Sequence, residues 1–398
     1  MIYFTGMKNK LIPIILLCIL ITSCKNDPPP RQISVEIRED MFYVNGKPTY
    51  EGVKLDTLMI EGLLLNSRMV QGVFDDLNPE TSGMWKYPDT DQWDPERNTN
   101  EFVRNMQIWR KYGLLSFTIN LQGGSPQGYS QGQPWHNSAY YSDGRLRDDY
   151  MKRLTKILDE ADRLGMVPIL GLFYFGQDER LDDEKAVVSA VTNVIDWLFG
   201  KKYRNVLIEI NNECNIQYDH DILKPERVHE LIELVRSRYD GYFRYYAGTS
   251  YGGGFIPLPN VVKISDFILL HGNGVSDPDK ILEMVRKTRE VEGYNAKPIL
   301  FNEDDHYDFD KENNNFLSAL KAYASWGFFD YRREGESFEN GYQSVPVDWS
   351  CLLNTPRAHG DRLGPGCRSL PGNKKLTHTT HPTHLTTHNA HNVITSYS

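Results

Sequence analysis

The stretch "VLIEINNECN", residues 206–215, places an apolar run directly ahead of two asparagines and a glutamate. A run this apolar is typical of a strand that is buried on both faces, as in a parallel sheet. Polar residues at the end of such a strand, here Asn212 and Glu213, need a reason to be there, because burying them without partners costs free energy. The rest of the chain must supply that reason.

Seven further apolar runs with polar ends lie along the chain, and amphipathic stretches of helical period separate them. The other runs are residues 60–74, 114–122, 166–175, 244–250, 267–273, 298–303 and 326–332. The helix candidates are residues 100–113, 148–165, 186–200, 227–238, 279–293 and 314–327. Eight strands alternating with helices predict an α/β fold, a (β/α)8 TIM barrel over residues 53–349. A doubly wound sheet is disfavoured, because no Gly-rich phosphate turn follows the first strand.

The composition limits the possible functions of the 398-residue chain. Its net charge is −9 and its basic residues are scattered, so we expect no nucleic-acid partner. The five cysteines form no CxxC pair, which argues against a metal or redox site and against a disulfide framework. We therefore expect no cofactor. The oligomeric state is not indicated by the sequence.

The segments before and after the predicted barrel differ from it in sequence pattern. Residues 34–52 alternate apolar and polar residues around Asn45-Gly46, which predicts a β-hairpin over the bottom of the barrel, with an irregular linker as the alternative. Residues 350–398 lack helical or strand period and hold six of the 11 histidines. We expect a disordered or aberrant tail there, and a metal-binding histidine tract is the alternative.

The N-terminus predicts a targeting segment. The apolar stretch of residues 11–22 is too short to span a bilayer, which takes roughly 20 residues. It runs into "LITSC", residues 20–24, which resembles a bacterial lipobox. The resemblance implies a signal peptide over residues 1–23, palmitate or a similar acyl chain on Cys24, and a tether over residues 24–33, as in Bacteroidota lipoproteins. We expect a protein anchored to the outer membrane of the cell envelope, periplasmic or surface-exposed; an ordinary cleaved signal peptide is the alternative.

The carboxyl ends of barrel strands carry the active site in this fold. Two glutamates there close very apolar strands: Glu213 on the fourth strand and Glu303 on the seventh, across the mouth from each other. Two carboxylates that face each other over a cleft are what glycoside hydrolysis requires, one to give a proton and one to attack the anomeric carbon. The sequence therefore predicts a carbohydrate substrate.

This pattern resembles the clan A glycoside hydrolases, a group of retaining enzymes with a (β/α)8 barrel. Their signature, Asn-Glu ending strand four and Glu ending strand seven, is similar to Asn212-Glu213 and Glu303 here. The resemblance implies that Glu213 is the acid/base, that Glu303 is the nucleophile and that Asn212 binds the sugar 2-hydroxyl. It also implies that Arg68 keeps the nucleophile ionised and that Trp326 floors the sugar site.

Other strand ends and loops supply further candidates for substrate binding. Members of the clan often have a tyrosine near the end of strand six, where this chain has His271. His271, Asn120 and Tyr174 end strands six, two and three. Trp135 lies in the long loop after strand two, whose Gly-, Gln- and aromatic-rich part, residues 123–137, is interpreted as a substrate-binding wall.

Two other functions share the predicted fold. A catalytically inactive barrel that binds glycans at the cell surface would not need both Glu213 and Glu303. A metal-dependent hydrolase would need histidine ligands on strand one, which has none. The acidic run "NEDDH", residues 302–306, is interpreted as a solvated loop, because adjacent strand residues cannot all face one ion. We therefore expect no metal.

Overall fold

In the computed structural model, the described residues are 31–350 without 130, 131, 307, 334 and 342. The predicted signal peptide, Cys24 and nearly all of the predicted tail lie outside them. The strands are β1 (Val35–Arg38), β2 (Met41–Val44), β3 (Lys47–Pro48), β4 (Lys54–Leu55), β5 (Leu58–Met59), β6 (Asn66–Arg68), β7 (Ser116–Asn120), β8 (Val167–Phe173), β9 (Leu207–Asn211), β10 (Tyr246–Gly248), β11 (Ile268–His271), β12 (Ile299–Glu303) and β13 (Gly327–Phe328). The helices are α1 (Pro95–Lys111), α2 (Asp148–Leu164), α3 (Glu184–Gly200), α4 (His229–Arg236), α5 (Pro259–Ile264), α6 (Pro278–Glu290) and α7 (Asn315–Lys321).

The eight strands β6 to β13 form the barrel. Six of them pair in the order β10-β9-β8-β7-β6-β13, and β11 pairs with β12, all in parallel. A parallel bridge between Leu300 and Ser325 joins β12 to β13. The backbone N–H of Asp266 donates to the carbonyl of Ala247 at 3.0 Å and connects β10 to the start of β11. The predicted (β/α)8 barrel is confirmed, and β9 and β12 are its fourth and seventh strands.

The helices begin and end where local chemistry favours it. The carboxylate of Asp94 accepts from the backbone N–H of Arg97, the third residue of α1, and Pro95 occupies the first helical position. Asp183 caps α3 in the same way. Gly165 ends α2 with a left-handed φ of 71°, which glycine adopts without steric cost. The short α5 was not predicted from the sequence. No helix among the described residues is long and apolar enough to cross a membrane.

The bottom of the barrel is closed by the N-terminal strands. Val35 and Phe42, from β1 and β2, pack among apolar residues of the barrel strands and of the segments just before them: Leu64, Leu115, Val167, Ile169, Leu207, Phe267, Leu269 and Leu300. The predicted hairpin is a three-stranded antiparallel sheet. Its turn at Asn45-Gly46 joins β2 to β3, whereas Glu39-Asp40 joins β1 to β2. The open end of the barrel therefore lies at the opposite, carboxyl ends of the strands.

After β13 the described chain contains no helix, and Trp349 covers part of α1. The Trp349 ring lies 4.7 Å from the ring of Phe102 and 6.0 Å from the ring of Trp109. Its indole N–H donates to Asn98 Oδ1 at 2.9 Å. These contacts bury Trp349 completely, so this part of α1 is not left open to solvent.

Candidate active site

Glu213 and Glu303 meet at the mouth of the barrel. Glu303 is the last residue of β12, and Glu213 lies two residues beyond the end of β9. A carboxylate oxygen of each glutamate and a ring nitrogen of His271 all lie within 4.8 Å of one another. Glu213 has a left-handed φ of 52°, which is uncommon outside glycine and clusters at functional sites. Its backbone N–H donates to Ser250 Oγ at 2.9 Å, which helps to hold this conformation.

Two buried basic side chains contact the glutamates. Arg68, at the end of β6, places Nε 2.8 Å from Glu303 Oε2. His271, at the end of β11, places Nδ1 2.9 Å from Glu213 Oε1 and 3.6 Å from Glu303 Oε2. Both basic side chains are at most 1% exposed. The barrel thus brings four of the predicted site residues into one buried cluster.

These contacts shift the pKa values of the two carboxyl groups in opposite directions. Burial raises the pKa of Glu303 to about 7, against the opposing positive charges of Arg68 and His271. Burial also acts to raise the pKa of Glu213, but the hydrogen bond and the charge of His271 outweigh it and lower that pKa. Burial would lower the pKa of His271, yet Glu303 and Glu213 together raise it. The pKa of Glu303 is thus raised and that of Glu213 lowered, which is the reverse of the order expected for an ionised nucleophile and a protonated acid.

A polar layer lies directly below the pair inside the barrel. Glu209 Oε1 accepts from Ser250 Oγ at 2.6 Å and from Asn302 Nδ2 at 3.2 Å. Asn120 occupies the same row, because it pairs with Gly171, which in turn pairs with Glu209. A Cβ on Gly171 would come within 2.2 Å of Asn120 Oδ1, so only glycine fits there. Asn120 therefore lies beneath the mouth rather than among the residues that line its cavity.

Above the glutamates lies a cavity of about 210 Å3. It is lined by Ser125, Gly128, Tyr129, Tyr174, Phe175, Glu213, Glu303, Phe329 and Gln343. Tyr174, a predicted site residue, stacks on Phe175 at 4.3 Å, and its hydroxyl lies 3.0 Å from Ser125 Oγ. Asn212, just before Glu213, is 2% exposed, and its Oδ1 has no partner within the described residues. The cavity is thus polar at its floor and aromatic along its walls.

Two predicted site residues lie in the core instead of the cavity. Trp326 comes before β13 and packs between Phe309 and Phe316, while its indole N–H donates to Asp304 Oδ2 at 2.9 Å. The prediction that Trp326 floors the sugar site is therefore wrong for this structure. Trp135 is 1% exposed and packs edge-on against Trp85 at 5.6 Å. It supports the loop after β7 from inside and does not face the cavity.

Six cavity residues were not singled out individually from the sequence: Ser125, Gly128, Tyr129, Phe175, Phe329 and Gln343. Phe329 lies one residue beyond β13. It belongs to the predicted apolar run 326–332, so a search for residues at the carboxyl end of that strand would have identified it. Tyr129 lies in the stretch 123–137 that was predicted as a substrate-binding wall, but no local signal marks it. Gln343 lies in a segment without helical or strand period, so no pattern identifies it.

The acidic run after β12 is not the solvated loop predicted from the sequence. Asp304 is completely buried; besides the bond from Trp326, its carboxylate accepts from Asn315 Nδ2 at 3.0 Å. His306 Nδ1 lies 2.8 Å from Asp305 Oδ1, and hydrogen bonds to Asp304 and Asp305 raise the pKa of His306 to about 10. Asp304, Asp305 and His306 therefore form a compact, partly buried group rather than a solvated loop.

The cluster of Glu213, His271 and Glu303 also has the residue types of a metal site. Arg68 already places a positive charge 2.8 Å from Glu303, and a divalent cation beside it would be repelled. The donor set therefore fits a proton-transfer pair better than a metal.

The chain is similar to several solved structures. A glycoside hydrolase family 5 protein from Bacteroides vulgatus is 13% identical, with 82% of this chain and 69% of that chain covered at a TM-score of 0.51. An endo-1,4-beta-mannanase from Rhizomucor miehei is 13% identical, covering 77% and 93% at a TM-score of 0.49. A beta-glucosidase from Thermotoga maritima is 11% identical, covering 74% and 97% at a TM-score of 0.46. The chain matches no protein-family profile and no curated protein. The likeness to the Bacteroides vulgatus protein shows a shared barrel fold.

Proposed function

We propose that this protein is a glycoside hydrolase that cleaves O-glycosidic bonds of a poly- or oligosaccharide by a retaining, two-carboxylate mechanism. The observation that carries the proposal is the pair of Glu213 and Glu303, with carboxylate oxygens within 4.8 Å of each other at the barrel mouth. Carboxyl groups roughly 5–5.5 Å apart are typical of retention, and inversion needs roughly 6.5–9.5 Å to admit a water. The barrel shared with a glycoside hydrolase agrees with this assignment.

The first step forms a bond between the sugar and the protein. A carboxylate oxygen of Glu303 attacks the anomeric carbon while the bond from that carbon to the glycosidic oxygen breaks. Glu213 gives its proton to the departing oxygen, so the leaving group departs as a neutral alcohol. This step uses the form of the pair in which Glu213 carries the proton and Glu303 is ionised.

The second step returns the protein to its starting state. Glu213, now ionised, takes a proton from a water molecule, whose oxygen attacks the anomeric carbon and displaces Glu303. Arg68 favours the ionised form of Glu303, which is both the nucleophile and the leaving group. His271 holds Glu213 in place through the 2.9 Å contact, and Asn212 has a buried Oδ1 free to accept from a sugar hydroxyl.

The test is hydrolysis of a panel of aryl glycosides and plant polysaccharides by the wild type and by Glu213→Gln and Glu303→Gln. These replacements keep the size of each side chain and remove the acid. We expect the wild type to cleave at least one substrate and both variants to lose that activity. A folded wild type that binds glycans without cleaving any would instead identify an inactive glycan-binding barrel, provided that neither replacement changes the binding.

We further propose that the protein is held on the outer membrane by acyl chains attached at Cys24. The support is the lipobox-like sequence "LITSC" at residues 20–24; at least two acyl chains give stable anchoring. Cells fed a labelled fatty acid should label the wild type and not Cys24→Ala, and that variant should leave the membrane fraction. Equal labelling of both proteins would show that Cys24 is not the attachment site.

A further inference from the structure

The catalytic pair divides the mouth of the barrel into two sides. Glu213 must stand beside the oxygen that leaves, because it supplies the proton, and Glu303 must stand beside the anomeric carbon. Glu213 follows β9, so the leaving group lies toward the loops after β9 and β10. The sugar that stays bound therefore lies toward Glu303 and the ends of β13, β6 and β7. The space on that second side therefore determines how many sugar residues are bound between the chain end and the cleaved bond.

Three aromatic rings form a wall on the side of the bound sugar. The Tyr129 ring lies 5.7 Å from the ring of Phe329 and 4.7 Å from the ring of Tyr331, both edge to face. Phe329 and Tyr331 stack at 5.8 Å. Gly128 lies against Tyr331 so closely that a Cβ would approach its ring to 2.7 Å. We call Tyr129, Phe329 and Tyr331 the aromatic wall.

The aromatic wall is fixed to the barrel by hydrogen bonds from both of its segments. The backbone N–H of Val345 donates to the carbonyl of Pro126 at 2.7 Å, joining the segment after β13 to the loop after β7. Gln71 Nε2 donates to the carbonyl of Gln343 at 2.9 Å. The guanidinium of Arg332 donates to four backbone carbonyls, those of Phe338, Asn340, Ser344 and Pro346. These hydrogen bonds hold the aromatic wall in a defined position on the barrel.

Tyr129 also reaches across the mouth. Its hydroxyl donates to Asp305 Oδ2 at 3.0 Å, which links the loop after β7 to the segment after β12. Asp305 is itself held, because Oδ1 accepts from the backbone N–H of Gly274 at 3.1 Å. The bridge passes beside the cavity over Glu303, whose volume is about 210 Å3. Pockets for drug-sized ligands run to roughly 300–1,000 Å3, so this one has room for about one sugar ring.

The opposite side has no comparable wall among the described residues. The loops after β9 and β10 expose apolar side chains there: Ile216 is 39% exposed and Phe255 is 57% exposed. Gly252 lies next to Ile216, where a Cβ would make only an ordinary contact at 3.4 Å. An exposed aromatic ring beside a cleft suits the apolar face of a sugar. The leaving side can therefore receive further sugars.

We propose that the aromatic wall limits the bound side to a single terminal sugar, so that the protein releases monosaccharides from chain ends and does not cut within chains. Tyr129 determines this specificity through its ring and through its bridge to Asp305. The inference rests on the proposed glycoside hydrolase function and adds to it the position of the cleaved bond.

The experiment compares aryl glycosides that carry one sugar with aryl glycosides that carry two, together with the viscosity of a soluble polysaccharide of the same sugar. We expect the wild type to release the aryl group from the one-sugar substrate at least roughly tenfold faster than from the matching two-sugar substrate. Its first soluble product from the polymer should be the monosaccharide, with a slow fall in viscosity. Equal rates on both aryl substrates, or a rapid fall in viscosity, would overturn the inference and leave the proposed function standing.

Two variants at one position test the part played by Tyr129. Tyr129→Ala opens the wall and should reduce the preference for the one-sugar substrate by about tenfold. Tyr129→Phe keeps the ring and should retain most of that preference. Tyr242→Ala, at a fully exposed tyrosine remote from the mouth, is the matched control and should change nothing. An unchanged preference in Tyr129→Ala would show that the wall does not set it. Absence of any cleavage by the wild type would reject the proposed function and this inference together.

Discussion

Replacing Arg68 with methionine removes a buried charge from beside the proposed nucleophile and keeps an unbranched side chain. Arg68 Nε lies 2.8 Å from Glu303 Oε2, and the two side chains are only 1% and 6% exposed. With an effective dielectric constant of about 20, unit charges at this distance attract by about 6 kcal/mol. One pKa unit corresponds to about 1.36 kcal/mol. Allowing for relaxation, we expect the pKa of Glu303 to rise by about 2–4 units from its value of about 7.

The rise has two measurable consequences. A neutral Glu303 cannot attack the anomeric carbon, so hydrolysis of an aryl glycoside at neutral pH should fall by about 100-fold or more. NMR of isotope-labelled glutamate should show the titration of Glu303 moving to higher pH. Because this carboxyl group then has a folded pKa far above its unfolded value, the variant should also lose stability as pH rises toward that folded pKa. Urea unfolding at several pH values measures that loss.

Arg153→Met is the matched control for removing a buried arginine. Arg153 is 2% exposed and donates to the carbonyl of Val73 at 3.4 Å, away from the glutamate pair. Its loss should destabilise the fold without moving the titration of Glu303. If Arg68→Met left both that titration and the rate at neutral pH unchanged, the electrostatic account of Arg68 would be refuted.

Three other predictions follow from the same contacts. The value of kcat/KM should fall as pH rises through about 7, where the Glu303 pair loses the proton that Glu213 must deliver; a profile flat through neutrality would contradict this. Trp326→Ala should cost about 3–5 kcal/mol in urea unfolding and leave KM unchanged, because Trp326 packs in the core; a changed KM at full stability would place it in the site. Phe42→Ala should lower the free energy of unfolding by about 3–5 kcal/mol without changing kcat, because Phe42 packs at the bottom of the barrel. Wild-type stability would show that the N-terminal strands contribute little there.

The barrel could be predicted from the sequence because its strands are short apolar runs at regular spacing. All eight runs contain a barrel strand in the structure. The first run was predicted over residues 60–74, but only Asn66–Arg68 is strand. These three residues are polar and buried, and their partners come from distant parts of the chain. Local periodicity does not report such partners, so the limits of this strand could not be read from the sequence.

The glutamate pair could also be predicted, because a carboxylate closing a very apolar strand is a local signal. The aromatic residues were not predictable in the same way. Trp326 and Phe329 flank β13 and lie three residues apart, yet Trp326 packs in the core and Phe329 lines the cavity. Sequence alone does not show where β13 ends, and that point decides which ring faces the mouth. Tyr129 depends on contacts with Asp305 and Tyr331 that only the folded chain creates.

The most direct test of the account is azide rescue of Glu303→Ala with an activated aryl glycoside of a sugar that the wild type cleaves. The account predicts that azide restores turnover and that the glycosyl azide has the anomeric configuration opposite to that of the substrate. Glu213→Ala with azide should give the retained anomer, because Glu303 still forms the bond to the sugar. Failure of azide to rescue a folded Glu303→Ala, or an inverted product from the wild type with water, would contradict the assignment of Glu303 as the nucleophile of a retaining enzyme.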